Sequence, residues 1–156
     1  MRHIFWFWLP PIGYMAAIFI VSSLPNPQIG GEAPDYALHT LEYFLLALLL
    51  IRFFLTRQFS LLDKNGRGNF TRWQQACFLG VIIAIVYGIT DEIHQYFVPG
   101  RHCSLSDVGS DTVGVILAYG VASLDYLLLN CYKPWGTFLK RFSMIHSVSY
   151  TAYWFK

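Results

Sequence analysis

ACFLGVIIAIVYGITDEIHQYFV, residues 76–98, decides how the chain is read. Fourteen residues from Cys77 to Thr90 carry no charge, and then Asp91, Glu92, His94 and Gln95 crowd into the next five positions. A bilayer core about 30 Å thick takes roughly 20 apolar residues of helix to cross. At about 1.5 Å per residue, Asp91 falls roughly 22 Å along from Ala76, at or just below the far interface. The segment therefore reads as a membrane-spanning helix whose polar groups gather at one end.

The composition agrees. Hydrophobic residues make up 55% of the chain and charged residues 13%, against roughly 25% charged in a soluble domain, so lipid is the expected solvent. A chain of 156 residues has room for one domain. The net charge of +2, with no basic motif, excludes nucleic acid as a partner. Cys77, Cys103 and Cys131 show no CxxC pairing and no zinc-site spacing, and no disulfide framework is expected because the topology below leaves only Cys103 near the outer face.

Apolar runs predict four spans, at 4–24, 38–55, 76–98 and 108–130. The expected fold is all-α: a polytopic four-transmembrane-helix bundle over 1–132, followed by an interfacial tail at 133–156. Pro10-Pro11 is expected to kink the first span or split off a short turn. Ser22-Ser23 lacks the small-residue pattern of a cleavage site, so that span is expected to be retained. The linker 56–75, with NGRGN at 65–69, reads as a flexible loop. In the tail, Trp135, Phe138, Leu139, Phe142 and Ile145 recur at helical spacing, predicting a short helix on the membrane surface.

Basic residues set the orientation. Arg2 precedes the first span, the loop 25–37 has no Lys or Arg, and Arg57, Lys64, Arg67 and Arg72 follow the second span. The loop 99–106 has only Arg101, and the tail has Lys133, Lys140, Arg141 and Lys156. That alternation places both termini in the cytoplasm and the TDEIHQ stretch on the outer side.

Each span then brings polar groups to the outer end. His39 and Glu42 share a face of the second span, and Asp107 and Asp111 open the fourth. Ser104-x-x-Asp107 before an apolar run predicts a capping box. The helix start beside Arg101 is suited to an anion. Tyr43, Tyr87 and Tyr96 read as packing or interfacial aromatics.

The ordered set His39-x-x-Glu42-Tyr43, Asp91-Glu92-x-x-Gln95, Pro99-Gly100-Arg101-x-x-Ser104-x-x-Asp107 and Asp111-x-x-Gly114 resembles the VanZ-like family over about residues 5–130. Its members are small four-span bacterial membrane proteins, and the namesake is associated with teicoplanin resistance. The resemblance implies the bacterial cytoplasmic (inner) membrane, with the polar site facing the periplasm or cell exterior. It carries His39, Glu42, Glu92, Gln95, Arg101, Ser104, Asp107 and Asp111 over as the family's polar positions, but supplies no reaction.

Two functions fit these residues. One is an enzyme acting on the anionic headgroup of an envelope lipid or lipid-linked wall precursor. Glu92 or Asp111 would be its general acid or base, with His39 a second proton carrier oriented by Glu42. Arg101, Ser104, Gln95 and Asp107 would hold the headgroup, and Asp91 and His94 rank below. A divalent cation is possible among His39, Glu92, Asp107 and Asp111, and no other cofactor is expected. The alternative is a binding or accessory membrane protein without chemistry. A carrier is disfavoured because the inner halves of the spans are apolar. Gly80, Gly88, Gly109, Gly114 and Gly120 permit close helix approach, so a homo-oligomer is possible.

Overall fold

In lipid, a backbone amide finds no partner except within its own helix or a closed barrel, so each long apolar run is driven to be helical. The computed structural model describes residues 2–25, 34–58, 70–101 and 103–131 and contains α1 (Arg2–Ser22), α2 (Asp35–Gln58), α3 (Phe70–Tyr96) and α4 (Leu105–Cys131). The described residues contain no strand. Three stretches are long and apolar enough to cross a membrane, Asp35–Leu55, Trp73–Tyr96 and Leu105–Leu128, with a shorter apolar helix at Phe7–Ser22. The tail helix expected around Trp135, the NGRGN turn and His102 lie outside the described residues.

The helices overshoot the apolar runs. α2 runs to Gln58 and α3 already begins at Phe70, so the linker is shorter than the 56–75 expected from hydropathy. Arg57, Arg72, Gln74 and Gln75 are polar but good helix formers, which lets the helix continue where the apolar signal stops. Pro10 and Pro11 lie inside α1 and no separate turn is split off. Each proline removes one amide donor, and the turns on either side keep the helix together.

α1 and α3 run one way, α2 and α4 the other. α2 is central: it touches the other three helices, and its contact with α4 is the most extensive. α1 packs on α2 and α3 and does not touch α4 among the described residues. Small residues permit this packing. A Cβ at Gly114 would run into the Thr40 carbonyl oxygen, and one at Gly80 would come within 2.8 Å of the Ile51 amide nitrogen. The backbones of α2–α4 and α2–α3 therefore meet at glycines, as close-packed membrane helices do. Around these contacts the core holds Ile18, Tyr43, Leu46, Ala47, Ala84 and Val115. Outside it, large side chains such as Ile20, Leu45, Phe78, Val86, Ile116 and Leu124 are exposed. That continuous apolar exterior fits acyl chains rather than water.

The two ends differ. Aromatic rings gather where α3 begins and α4 nears its end: Trp73 lies 4.6 Å from Tyr126 and 6.2 Å from Tyr119 between ring centroids. On the same end Arg52 lies 5.5 Å over the Phe7 ring. Such aromatic and basic groups belong at a lipid–water interface. The opposite end, where α1 and α3 finish and α2 and α4 start, holds the buried acids.

Candidate functional site

Five polar residues are buried among the described residues: Ser22, Asp91, Glu92, Gln95 and Asp111. All lie at the same end of the bundle, and they divide into two groups.

The first group is satisfied within the protein. Ser22 Oγ donates to Asp91 Oδ1 at 2.7 Å, and Gln95 Nε2 donates to Asp91 Oδ2 at 2.9 Å. Nearby, Ser23 Oγ and His94 Nε2 are 3.0 Å apart, and the His94 ring stacks on Phe19 with centroids at 4.5 Å. Lower down, Tyr87 OH donates to the Met15 carbonyl at 2.6 Å. These contacts tie α1 to α3. Asp91 and Gln95, both candidates from sequence, are thereby engaged with each other and with α1. Replacing Asp91 by Ala strands two donors, and each lost partner costs about 1–3 kcal/mol. The expected result is a clearly lower melting temperature with faster proteolysis in α1, measured by limited digestion in detergent. A variant that melts like wild type would exclude this anchoring role.

The second group is not satisfied. His39 Nδ1 on α2 lies 3.0 Å from Asp111 Oδ1 on α4. Glu92 on α3 joins them, and one ligand atom from each of the three falls within 4.8 Å of the others. Glu92 is 1% exposed and Asp111 3%, yet Glu92 Oε1 and Asp111 Oδ2 have no hydrogen-bond partner. Tyr43, 1% exposed, also leaves its hydroxyl unpartnered. A Cβ on Gly88 would lie 3.1 Å from the Tyr43 ring and 3.2 Å from Asp111 Oδ2. Gly88 thus gives Tyr43 and Asp111 their space against α3.

Local structure explains how three helices converge. Thr40 Oγ1 donates to its own helix at the Tyr36 carbonyl and across to the Ser110 carbonyl at 3.1 Å, fixing α2 on α4 one residue away from both His39 and Asp111. The α3–α4 connection turns at Pro99-Gly100, with Gly100 at φ 82°, the left-handed region that favours glycine. Arg101 N then donates to the Val98 carbonyl at 3.1 Å, closing the expected turn. Ser104 Oγ accepts from the Ser106 amide at 3.2 Å and caps α4. The return bond of the expected capping box comes from another helix: Ser104 N donates to Glu92 Oε2 at 3.1 Å. Glu92 stands in for Asp107 because α3 ends beside the start of α4. Asp111 follows Ser104 by seven residues, about two turns, so it faces the same way, and helical side chains lean toward the N-terminus.

Several expectations are thus redrawn. The imidazole of His39 is held by Asp111, not by Glu42, where the close α2–α4 crossing at Gly114 brings the Asp111 carboxylate within hydrogen-bond distance. Glu42 is half-buried, near enough to His39, Asp91, Asp111 and Arg101 for their charges to act on it. Asp107 is outside the group of three, though its charge acts on His39, Glu92 and Asp111. Arg101 is half-buried, its Nε has no partner, and no ion pair joins it to a carboxylate among the described residues. Sequence reasoning gave Tyr43 and Gly88 no part in the site. The available signals were Tyr43 one turn after His39 and Gly88 one turn before Glu92, each on the same helix face.

Helices of this length and apolarity, with an acid–histidine cluster buried at one end, define a small polytopic membrane protein with a polar site. Residues 36–129 match the model of the VanZ/LLP1 family, and the chain belongs to that family. The match spans α2, α3 and most of α4 and leaves α1 outside it. No curated protein and no solved structure matches the chain.

Proposed function

We propose that this membrane protein binds the anionic headgroup of a cell-envelope lipid or lipid-linked wall precursor at its polar end and acts on it by hydrolysis or group transfer. The observation that carries this reading is the contrast between neighbouring acids. Asp91 has both oxygens satisfied, as a structural carboxylate should, whereas Glu92 and Asp111 each keep one buried oxygen unpartnered. A charged group within a span costs about 2.5–3.5 kcal/mol on insertion scales, so such groups are retained for what they bind or do. Arg101 supplies the positive charge, and its unpartnered Nε suits a phosphate or carboxylate oxygen. The carboxylate-held imidazole of His39 and the free oxygens of Glu92 and Asp111 are groups suited to moving a proton. Ser104 Oγ is occupied in capping, which favours water over a serine as nucleophile. The alternation of basic loops supports an outward-facing site in the bacterial cytoplasmic membrane.

The test has two arms. The chain in nanodiscs containing phosphatidylglycerol or a polyprenyl pyrophosphate is assayed for retained lipid by native mass spectrometry. Arg101→Gln should weaken retention of the anionic lipid about tenfold or more, as loss of a charge-assisted contact worth ~1.5–3 kcal/mol requires. In cells, the lipid and precursor profile is compared between wild type, a deletion and Glu92→Gln. Deletion and Glu92→Gln should accumulate the same headgroup species. Retention unaffected by Arg101→Gln would remove the binding half. A Glu92→Gln profile equal to wild type would leave only the non-catalytic reading.

A further inference from the structure

We infer that His39, Glu92 and Asp111 form a binding site for one divalent first-row transition-metal ion. The inference rests on the proposed function above and deepens it: an ion held by these three groups would cancel the charge of the buried acids and, through a bound water, would take over the proton-transfer role assigned to them when free.

The geometry comes first. One imidazole nitrogen and two carboxylate oxygens, from three different helices, lie within 4.8 Å of one another. Tetrahedral ligands about 2.0–2.2 Å from a shared ion stand roughly 3.3–3.6 Å apart, so the widest separation would close by up to about 1.5 Å, within reach of side-chain rotation. Two of the three residues are almost fully buried, and each keeps an oxygen with no partner. Outside the three, the Tyr43 hydroxyl is a further buried group without a partner, beside Asp111 across Gly88. A hydroxyl and two carboxylate oxygens left bare inside an apolar bundle are atoms awaiting something to bind.

Charge and chemistry narrow what that is. Two carboxylates with a neutral imidazole carry the charge that a 2+ ion cancels, which matters most where water is scarce. Imidazole suits zinc, iron, copper and nickel, whereas carboxylates alone would suit magnesium or calcium. The mixed set points to Zn²⁺ or Mn²⁺. Three protein ligands leave at least one position for water or a headgroup oxygen, the pattern of a catalytic rather than a structural ion. Thr40, which ties α2 to Ser110, and Ser104, which holds Glu92 Oε2, act as outer supports for the ligands. Asp107 and Glu42 add negative charge around the group without joining it.

The experiment uses the full, untagged chain in nanodiscs, stripped with EDTA and reloaded with Zn²⁺ or Mn²⁺ alone. One ion per chain is expected after desalting, by elemental analysis. The Mn²⁺-loaded protein should show nitrogen modulation from one imidazole in pulsed electron paramagnetic resonance. Asp111→Asn should weaken binding at least about 100-fold, the upper end of what even outer-shell changes cost. His39→Gln should remove the nitrogen signal, while His94→Gln should keep both the ion and the signal. Circular dichroism and size-exclusion profiles distinguish a lost site from a lost fold, and the wild-type nitrogen signal tests the site without any variant. No ion bound to folded wild-type protein, or an ion that survives His39→Gln together with Asp111→Asn, overturns the inference. Anionic lipid retained through Arg101 in EDTA, with no metal taken up, would sink the metal site and leave the headgroup reading standing. Metal uptake without lipid retention would do the reverse.

Discussion

Glu92→Gln should give a protein that is more stable and that lacks the proposed headgroup chemistry. Glutamine keeps the shape of glutamate and an oxygen for the Ser104 amide, so the cap on α4 survives. It removes a buried charge whose second oxygen has no partner, and it places an amide donor in the same cluster as the Asp111 carboxylate. Burying one charge costs several kcal/mol, so its replacement by a neutral group of similar shape should be stabilising. In metal-free detergent the variant should melt several degrees above wild type. If the proposed function holds, turnover, read from the accumulating headgroup species, should fall about 10²- to 10⁴-fold, as loss of an acid–base group does. With Zn²⁺ or Mn²⁺ present the order should reverse, because the ion stabilises only the form that binds it. A variant less stable than wild type without metal would mean that Glu92 is a satisfied structural acid after all.

Gly114→Ala should be the most damaging added methyl group among the described glycines. Its Cβ would collide with the Thr40 carbonyl oxygen and come within 2.9 Å of the Phe44 amide nitrogen. Both obstacles are backbone of α2, which cannot turn aside as a flexible side chain does. Overpacking costs about 1–3 kcal/mol when side chains can yield and more when they cannot, so a loss of about 3 kcal/mol or more is expected. Separating α2 from α4 would also open the His39–Asp111 contact, so metal or lipid binding should fall with stability. Gly120→Ala is the matched control on the same helix. Nothing lies within 4 Å of its Cβ position, and alanine there should be neutral or stabilising by up to ~1 kcal/mol. Thermal melting of the pair in one detergent decides the point, and equal melting temperatures would remove the tight α2–α4 crossing.

Helix number was legible in the four apolar runs, and the polar end in residues 76–98, because a span has a fixed length and its interruptions are conspicuous. Spacing within one helix also read well: Ser104 caps α4 and Gly100 makes the turn. Pairing across helices did not. His39 and Glu42 lie one turn apart in sequence, yet the partner of His39 is Asp111, 72 positions away. Asp91 and Glu92 are adjacent and look equivalent, but they point around the helix by about 100° from each other. One meets Ser22 and Gln95, the other the Ser104 amide. Helix rotation made that distinction, and hydropathy carries no record of rotation. The helix ends were misjudged for a related reason: Arg, Gln and Asp are polar to a hydropathy scale and acceptable to a helix.

The Ser104–Glu92 bond turns the start of α4 into a ruler. With Ser104 fixed on α3, Asp111 reaches the site only because seven positions bring it round to the same side. One residue inserted between them would swing its carboxylate by about 100°, and one deleted would swing it as far the other way. Leu105 is 89% exposed and Gly109 has nothing near its Cβ position, so many side chains fit within the interval. Variation there should be permissive in letters and intolerant of length, a pattern that comparison of related chains can score directly.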